Sequence, residues 1–128
     1  MAATLYVCAT CKADQIVPEG GLPLGAQMRD ALLAAPCPQG LTIEAVDCLS
    51  ACSQGCSIAL QGDGKWSYVY GRLSPADVPD ILAGAAAYAA SADGIVPWRE
   101  RPVIFRKQSL ARIPPIRIPP PVSPSMEP

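Results

Sequence analysis

Five of the six cysteines in this chain of 128 residues fall into two groups. The first, "VCATC", holds Cys8 and Cys11. The second, "DCLSACSQGC", places Cys48, Cys52 and Cys56 at four-residue intervals. Thiolates ligate soft metals and clusters, and paired thiols exchange electrons through disulfides. A buried cysteine can also act as a small hydrophobe. That reading suits Cys37, alone in "APCPQG", but not five cysteines in two clusters. Histidine is absent. Its absence excludes histidine-ligated zinc, Rieske-type clusters, histidine-dependent triads and imidazole general bases. Any soft-metal site must rest on sulfur, with carboxylates as the remaining help.

These cysteines need elements to bring them together. "ATLYVC" (Ala3 to Cys8) reads as a short buried strand ending at the first cysteine. The Pro- and Gly-punctuated "KADQIVPEGGLP" that follows reads as a loop. From Leu24 to Ala35 the apolar residues recur with helical spacing, and Pro36 ends the helix. "LTIEAV" (Leu41 to Val46) alternates and reads as a second strand, leading into Cys48. "SIALQ" and "KWSYVY" flank "GDG", a hairpin signal. In "SPAD", Ser74 can cap a helix with Asp77 completing a capping-box-like pair. Val78, Ile81, Leu82 and Ala85 would form its buried stripe.

The order is therefore β-α-β-β-β-α, with a crossover helix that favours a parallel first pair. It is the order of a thioredoxin-like α/β sandwich. Residues 1–96 are expected to form this domain. Residues 97–128 are dense in proline and basic, and are expected to be an irregular extension, partly an ordered strap with a mobile end. In this layout both cysteine groups leave the carboxyl ends of strands, where open α/β sheets gather their sites.

Bulk composition narrows the function classes. The net charge of −1 gives no general case for nucleic acid or a membrane surface. No apolar run spans a bilayer, and the N-terminus lacks the pattern of a secretory signal. A cytoplasmic, reducing compartment is expected, where six cysteines point to metal or redox chemistry. Charge is uneven: residues 1–98 are net −5 and residues 99–128 net +4.

Three uses of the cysteines stay open at this point. A [2Fe–2S] cluster held by four thiolates is favoured, since "CATC" and "CLSAC" have small spacers and Gly55 lets backbone amides approach sulfur. Zinc is the second, with C-x2-C a good half-site but the Cys48–Cys52 spacing one residue looser than a zinc knuckle. A dithiol redox site is the third. Thioredoxins carry C-x-x-C after the first strand, yet the place of their cis-proline reads "CSQGCSIAL", without proline.

The element order, the cysteine ending strand one, and "CLSAC" before strand three resemble the thioredoxin-like [2Fe–2S] ferredoxins. That group includes the Shethna-type ferredoxins and the small cluster subunit of respiratory NADH dehydrogenases. The resemblance implies Cys8, Cys48 and Cys52 as ligands, with Cys11 the natural second ligand. It leaves Cys56 as an alternative or outer-sphere thiol, and implies a homodimer. The chain is also similar, through "CATC", "CLSACSQGC", "KWSYVYGRL" and "VPWRERPVIFRK", to small bacterial proteins classed as metal-binding. Their genes often lie near cobalamin biosynthesis genes, which implies electron supply to that pathway. The expected role is an electron carrier with a redox partner protein, not an enzyme. Its potential would be low, on the order of −400 mV, as for other all-cysteine [2Fe–2S] ferredoxins. A metal-handling protein carrying zinc or cobalt and a thiol–disulfide oxidoreductase are the alternatives.

Two smaller expectations concern aromatics and arginines. Trp66, Tyr68 and Tyr70 alternate and should share one sheet face in the core. In the extension, Trp98, Ile104 and Phe105 mix with Arg99, Arg101, Arg106 and Lys107. This suits either a strap whose arginines pair across the acidic body or an arm that docks a partner.

Overall fold

The computed structural model describes residues 3–9, 21, 23–47, 49 and 56–115. Strand β1 (Ala3–Cys8) and β2 (Leu41–Val46) form where alternating apolar residues predict them. Helix α1 (Leu24–Ala34) crosses between them, and the two strands pair in parallel, from Ala3 opposite Leu41 to Cys8 opposite Val46. A crossover of this length is what a parallel pair requires. The hairpin follows as β3 (Ile58–Gln61) and β4 (Ser67–Tyr70), turned at Gly64 with φ +70°. β3 runs antiparallel to β1, with Val7 opposite Ile58.

Ser74 and Asp77 form the capping box anticipated above. The Asp77 carboxylate accepts the Ser74 N–H at 2.9 Å. A 3-10 turn (Pro75–Asp77) then feeds α2 (Val78–Ala90). At its other end, buried Lys65 donates from Nζ to the carbonyls of Ala89 (3.2 Å) and Ser91. A cation at a helix C-terminus satisfies the last carbonyls and the helix dipole together.

The extension departs from the irregular chain expected of it. A 3-10 turn (Trp98–Glu100) leads to a short helix α3 (Val103–Lys107) and a fifth strand β5 (Ser109–Ile113) antiparallel to β4. Every residue of β5 is exposed, so no apolar alternation marks it in the sequence. Its strand character comes from ladder hydrogen bonds to the free edge of β4. The sheet order is β2-β1-β3-β4-β5.

The fold is an α/β sandwich of the thioredoxin-like kind, with its core on one sheet face. Leu5 and Val7 of β1, Leu41 of β2, Ile58 and Leu60 of β3, and Tyr68 and Tyr70 of β4 share that face. Against them pack Met28 and Leu32 of α1 and Ile81, Ala85 and Tyr88 of α2. Fully burying side chains of this size contributes about 1.5–3 kcal/mol each. Phe105 joins the same core, stacked on Tyr70 at 4.0 Å between ring centroids. It lies against Gly84, where any Cβ would collide with its ring. Among the described residues no helix is long and apolar enough to cross a membrane.

Candidate metal centre

Cys8 occupies the last position of β1, an interior strand flanked by β2 and β3, and it is 2% exposed. Its backbone is pinned on both sides. Cys8 N–H donates to the Ser57 carbonyl at 3.1 Å, and Ala9 N–H donates to the Val46 carbonyl at 2.9 Å. The thiol turns toward the end of β2, where Sγ lies 3.7 Å from the Asp47 carbonyl oxygen. Cys48 is the next residue in the chain. The second cysteine group therefore begins one peptide bond from the Cys8 thiol's acceptor. The carboxyl ends of β1 and β2 and the start of β3 meet at this end of the sheet.

Cys11, Cys48 and Cys52 lie outside the described residues, as does Gly55. Among the described residues no three Cys, Asp or Glu groups come together as a metal site. Cys37 is exposed, with its thiol 3.1 Å from the Leu41 carbonyl oxygen, and stands apart from this end of the sheet.

Cys56 is described, and its position separates it from Cys8. It precedes Ile58 by two residues, on the core face, and it pairs with Leu73 through two backbone hydrogen bonds of 3.1 and 3.3 Å. It is fully buried and belongs to the hydrophobic core. Cys8 follows Val7, a core-face residue, and so belongs to the opposite face.

Two residues at this end carried no signal in the sequence. Ser57 is fully buried, and its hydroxyl has no hydrogen-bond partner among the described residues. Arg72, just beyond β4, holds a left-handed backbone (φ 55°) although it is not glycine. Such conformations cost energy and concentrate at functional sites. The bend is tied to the extension, since Gly71 N–H donates to the Gln108 carbonyl at 3.0 Å.

The aromatics form a separate structure. Tyr68 and Tyr70 stack at 5.8 Å, and Tyr88 meets Tyr68 edge-on at 6.2 Å. Trp66 packs partly buried against the same core. Tyr88 donates its hydroxyl to the Trp66 carbonyl at 2.6 Å. Burial, then the neighbouring Tyr68, pushes the Tyr88 phenol up to about 12, and the same two causes raise Tyr70 further. A small cleft between these rings, Arg101 and Phe105 opens on the helix side of the sheet, away from the face of Cys8.

The arginines of the extension engage carbonyls and rings. Arg101 Nε donates to the Val96 carbonyl at 2.7 Å, with its guanidinium 5.8 Å from the Tyr68 ring and 5.5 Å from that of Trp98. Arg106 donates to the Arg99 carbonyl at 3.1 Å, and Arg112 lies 4.5 Å above the Trp66 ring. After α2, the exposed Asp93 carboxylate accepts the Ile95 N–H and the Ser91 hydroxyl, which hold it below the usual range.

The fold and this end of its sheet define a class: thioredoxin-like α/β proteins with a buried thiol closing the first strand. Solved structures agree on the fold. A thioredoxin-like [2Fe–2S] ferredoxin from Aquifex aeolicus superposes with a TM-score of 0.54 at 18% identity, over 88% of this chain and 93% of its own. The wild-type thioredoxin-like [2Fe–2S] ferredoxin from the same organism gives 0.54 at 16%, over 86% and 97%. Within that class the chain belongs to the DUF1636 family, described as protein of unknown function, whose family model matches residues 5–115. No curated protein matches it.

Proposed function

We propose that this protein is a one-electron carrier, a [2Fe–2S] ferredoxin, with Cys8 and Cys11 on one iron and Cys48 and Cys52 on the other. The observation that carries this reading is the Cys8 thiol. It is buried at the carboxyl end of β1, between β2 and β3, and turned to the carbonyl of Asp47, the residue before Cys48. The ferredoxin-like fold adds support. The residues fit such a group in kind. The thiol is shielded from water, and the Ser57 hydroxyl, without a hydrogen-bond partner among the described residues, belongs to the residue opposite it just before β3.

When bound, the cluster supplies one-electron redox chemistry. The chain's own contribution is to present sulfur, exclude water and hold the ligands on hydrogen-bonded strand ends. Cys56 is assigned to packing, because it lies in the core on the other sheet face. The carrier would work in the cytoplasm with a redox partner protein, as a homodimer, without nucleic acid or membrane. By the resemblance noted above, its electrons would serve cobalamin biosynthesis.

The test is the visible and EPR spectrum of anaerobically purified or reconstituted protein, with iron, sulfide and zinc measured in the same sample. Iron and acid-labile sulfide in equal amounts, with a reduced-state [2Fe–2S] signal, is the expected result. Zinc without sulfide would sink the reading.

A further inference from the structure

Ser57 lies directly opposite Cys8. The antiparallel register puts Val7 against Ile58, and the hydrogen bond from Cys8 N–H to the Ser57 carbonyl at 3.1 Å carries the pairing one residue further. Residues so opposed point to the same sheet face, with Cβ atoms about 4.5–5.5 Å apart. Both side chains are buried, Cys8 at 2% exposure and Ser57 at 0%. The Ser57 hydroxyl has no partner among the described residues. A buried hydroxyl left unpaired costs about 1–3 kcal/mol.

The needs of the two groups are complementary. As a thiol, Cys8 uses its S–H toward the Asp47 carbonyl oxygen at 3.7 Å. As a thiolate it has no proton to give, and its sulfur accepts hydrogen bonds instead. The one buried side-chain donor without a partner on that face, among the described residues, is Ser57 Oγ–H. The other two unpartnered buried groups, Tyr68 Oη and Arg106 Nε, belong to the helix side and to the extension.

We infer that Ser57 is a positioning residue whose hydroxyl donates to the Cys8 sulfur once that sulfur is a metal-bound thiolate, and so raises the reduction potential of the centre. The inference rests on the cluster reading above. In the redox half-step, one electron arrives from a one-electron reductant, dithionite in the titration below, which is oxidised in turn. No bond forms or breaks and no proton moves. The added negative charge is shared by the sulfurs, and a hydrogen bond to sulfur stabilises the more negative state.

The experiment uses the full chain, reconstituted anaerobically, as wild type and as Ser57→Ala, Ser57→Thr and Ser57→Val. Thr and Val have nearly the same shape and differ in the hydroxyl. Iron and sulfide are quantified, the midpoint is titrated by EPR, and iron–sulfur stretches are recorded by resonance Raman in H2O and D2O. Ser57→Ala and Ser57→Val should reduce the equilibrium constant for one-electron reduction about tenfold, roughly 59 mV. Ser57→Thr should keep the wild-type midpoint. The wild type should show a deuterium shift in an iron–thiolate stretch that the hydroxyl-free variants lose. Loaded variants with unchanged midpoints overturn the inference and leave the carrier reading standing. So does a wild-type spectrum without any deuterium shift, which needs no variant to fold. A wild type that takes up no iron and sulfide overturns both.

Discussion

Cys8 and Cys56 are both buried thiols near one end of the same sheet, yet the pleat assigns them to opposite faces. Their substitutions should therefore diverge. Cys8→Ser is expected to keep the far-UV CD spectrum and lose iron and sulfide on reconstitution. Cys56→Ala is expected to keep both while lowering stability by about 1–2 kcal/mol, the cost of a small core cavity. Equal iron loss in the two variants would refute this division. Tyr88 carries a second prediction. Its folded pKa, about 12, lies above the ordinary tyrosine value, so the native state holds its proton where the unfolded chain releases it. This contribution is complete below pH ~10 and is lost as pH rises toward ~12. Stability measured by urea unfolding should fall over that window, and less steeply in Tyr88→Phe. Neutral-pH stability of that variant should drop by about 0.5–1.5 kcal/mol, because the part-buried hydrogen bond to the Trp66 carbonyl is lost. At this scale the sequence displayed the cysteines plainly but not their faces. Counting back from Ile58 and Leu60 places Cys56 in the core, but Cys56 lies two residues before β3, where strand alternation is no longer a safe guide. Ser57 had no mark of its own, since only its position opposite Cys8 makes it chemical.

At the level of elements, β1, β2, the hairpin and the capped start of α2 were legible because each has its own periodicity or turn chemistry. The extension was not. Its prolines argue for irregular chain, and β5 has no buried face to write a period with. What orders it is contact: Phe105 on Tyr70 and Gly84, and ladder bonds to β4. Gly84→Ala should expel the Phe105 ring and destabilise the protein nearly as much as Phe105→Ala, for which about 3–5 kcal/mol is expected. In the double variant the two losses should be far from additive, since both break one contact. Denaturant midpoints of the three proteins check this, and additive losses would show that the ring packs elsewhere.

Over the whole molecule, the acidic body and basic extension suggested attraction between opposite charges. The arginines of the extension instead cover the rings of Trp66, Tyr68 and Trp98 and donate to backbone carbonyls. These contacts all lie within 5.8 Å, shorter than the Debye length at ordinary ionic strength, and are screened weakly. The urea midpoint should thus change little between about 0.05 and 0.5 M NaCl, where the Debye length falls severalfold. A steep loss with salt would return the strap to long-range charge pairing. The sheet order has one more consequence, in time rather than space. β1 is made before the other described elements, but its partners are residues 41–46 and 58–61. During synthesis this apolar strand waits with both edges bare until β2 leaves the ribosome, and with one edge bare until β3 does. Its pairings are non-local, which slows folding and exposes such strands to aggregation. By then all six cysteines have been synthesised, while β5 has not. The thiol-bearing end of the sheet can therefore assemble before the far edge is closed.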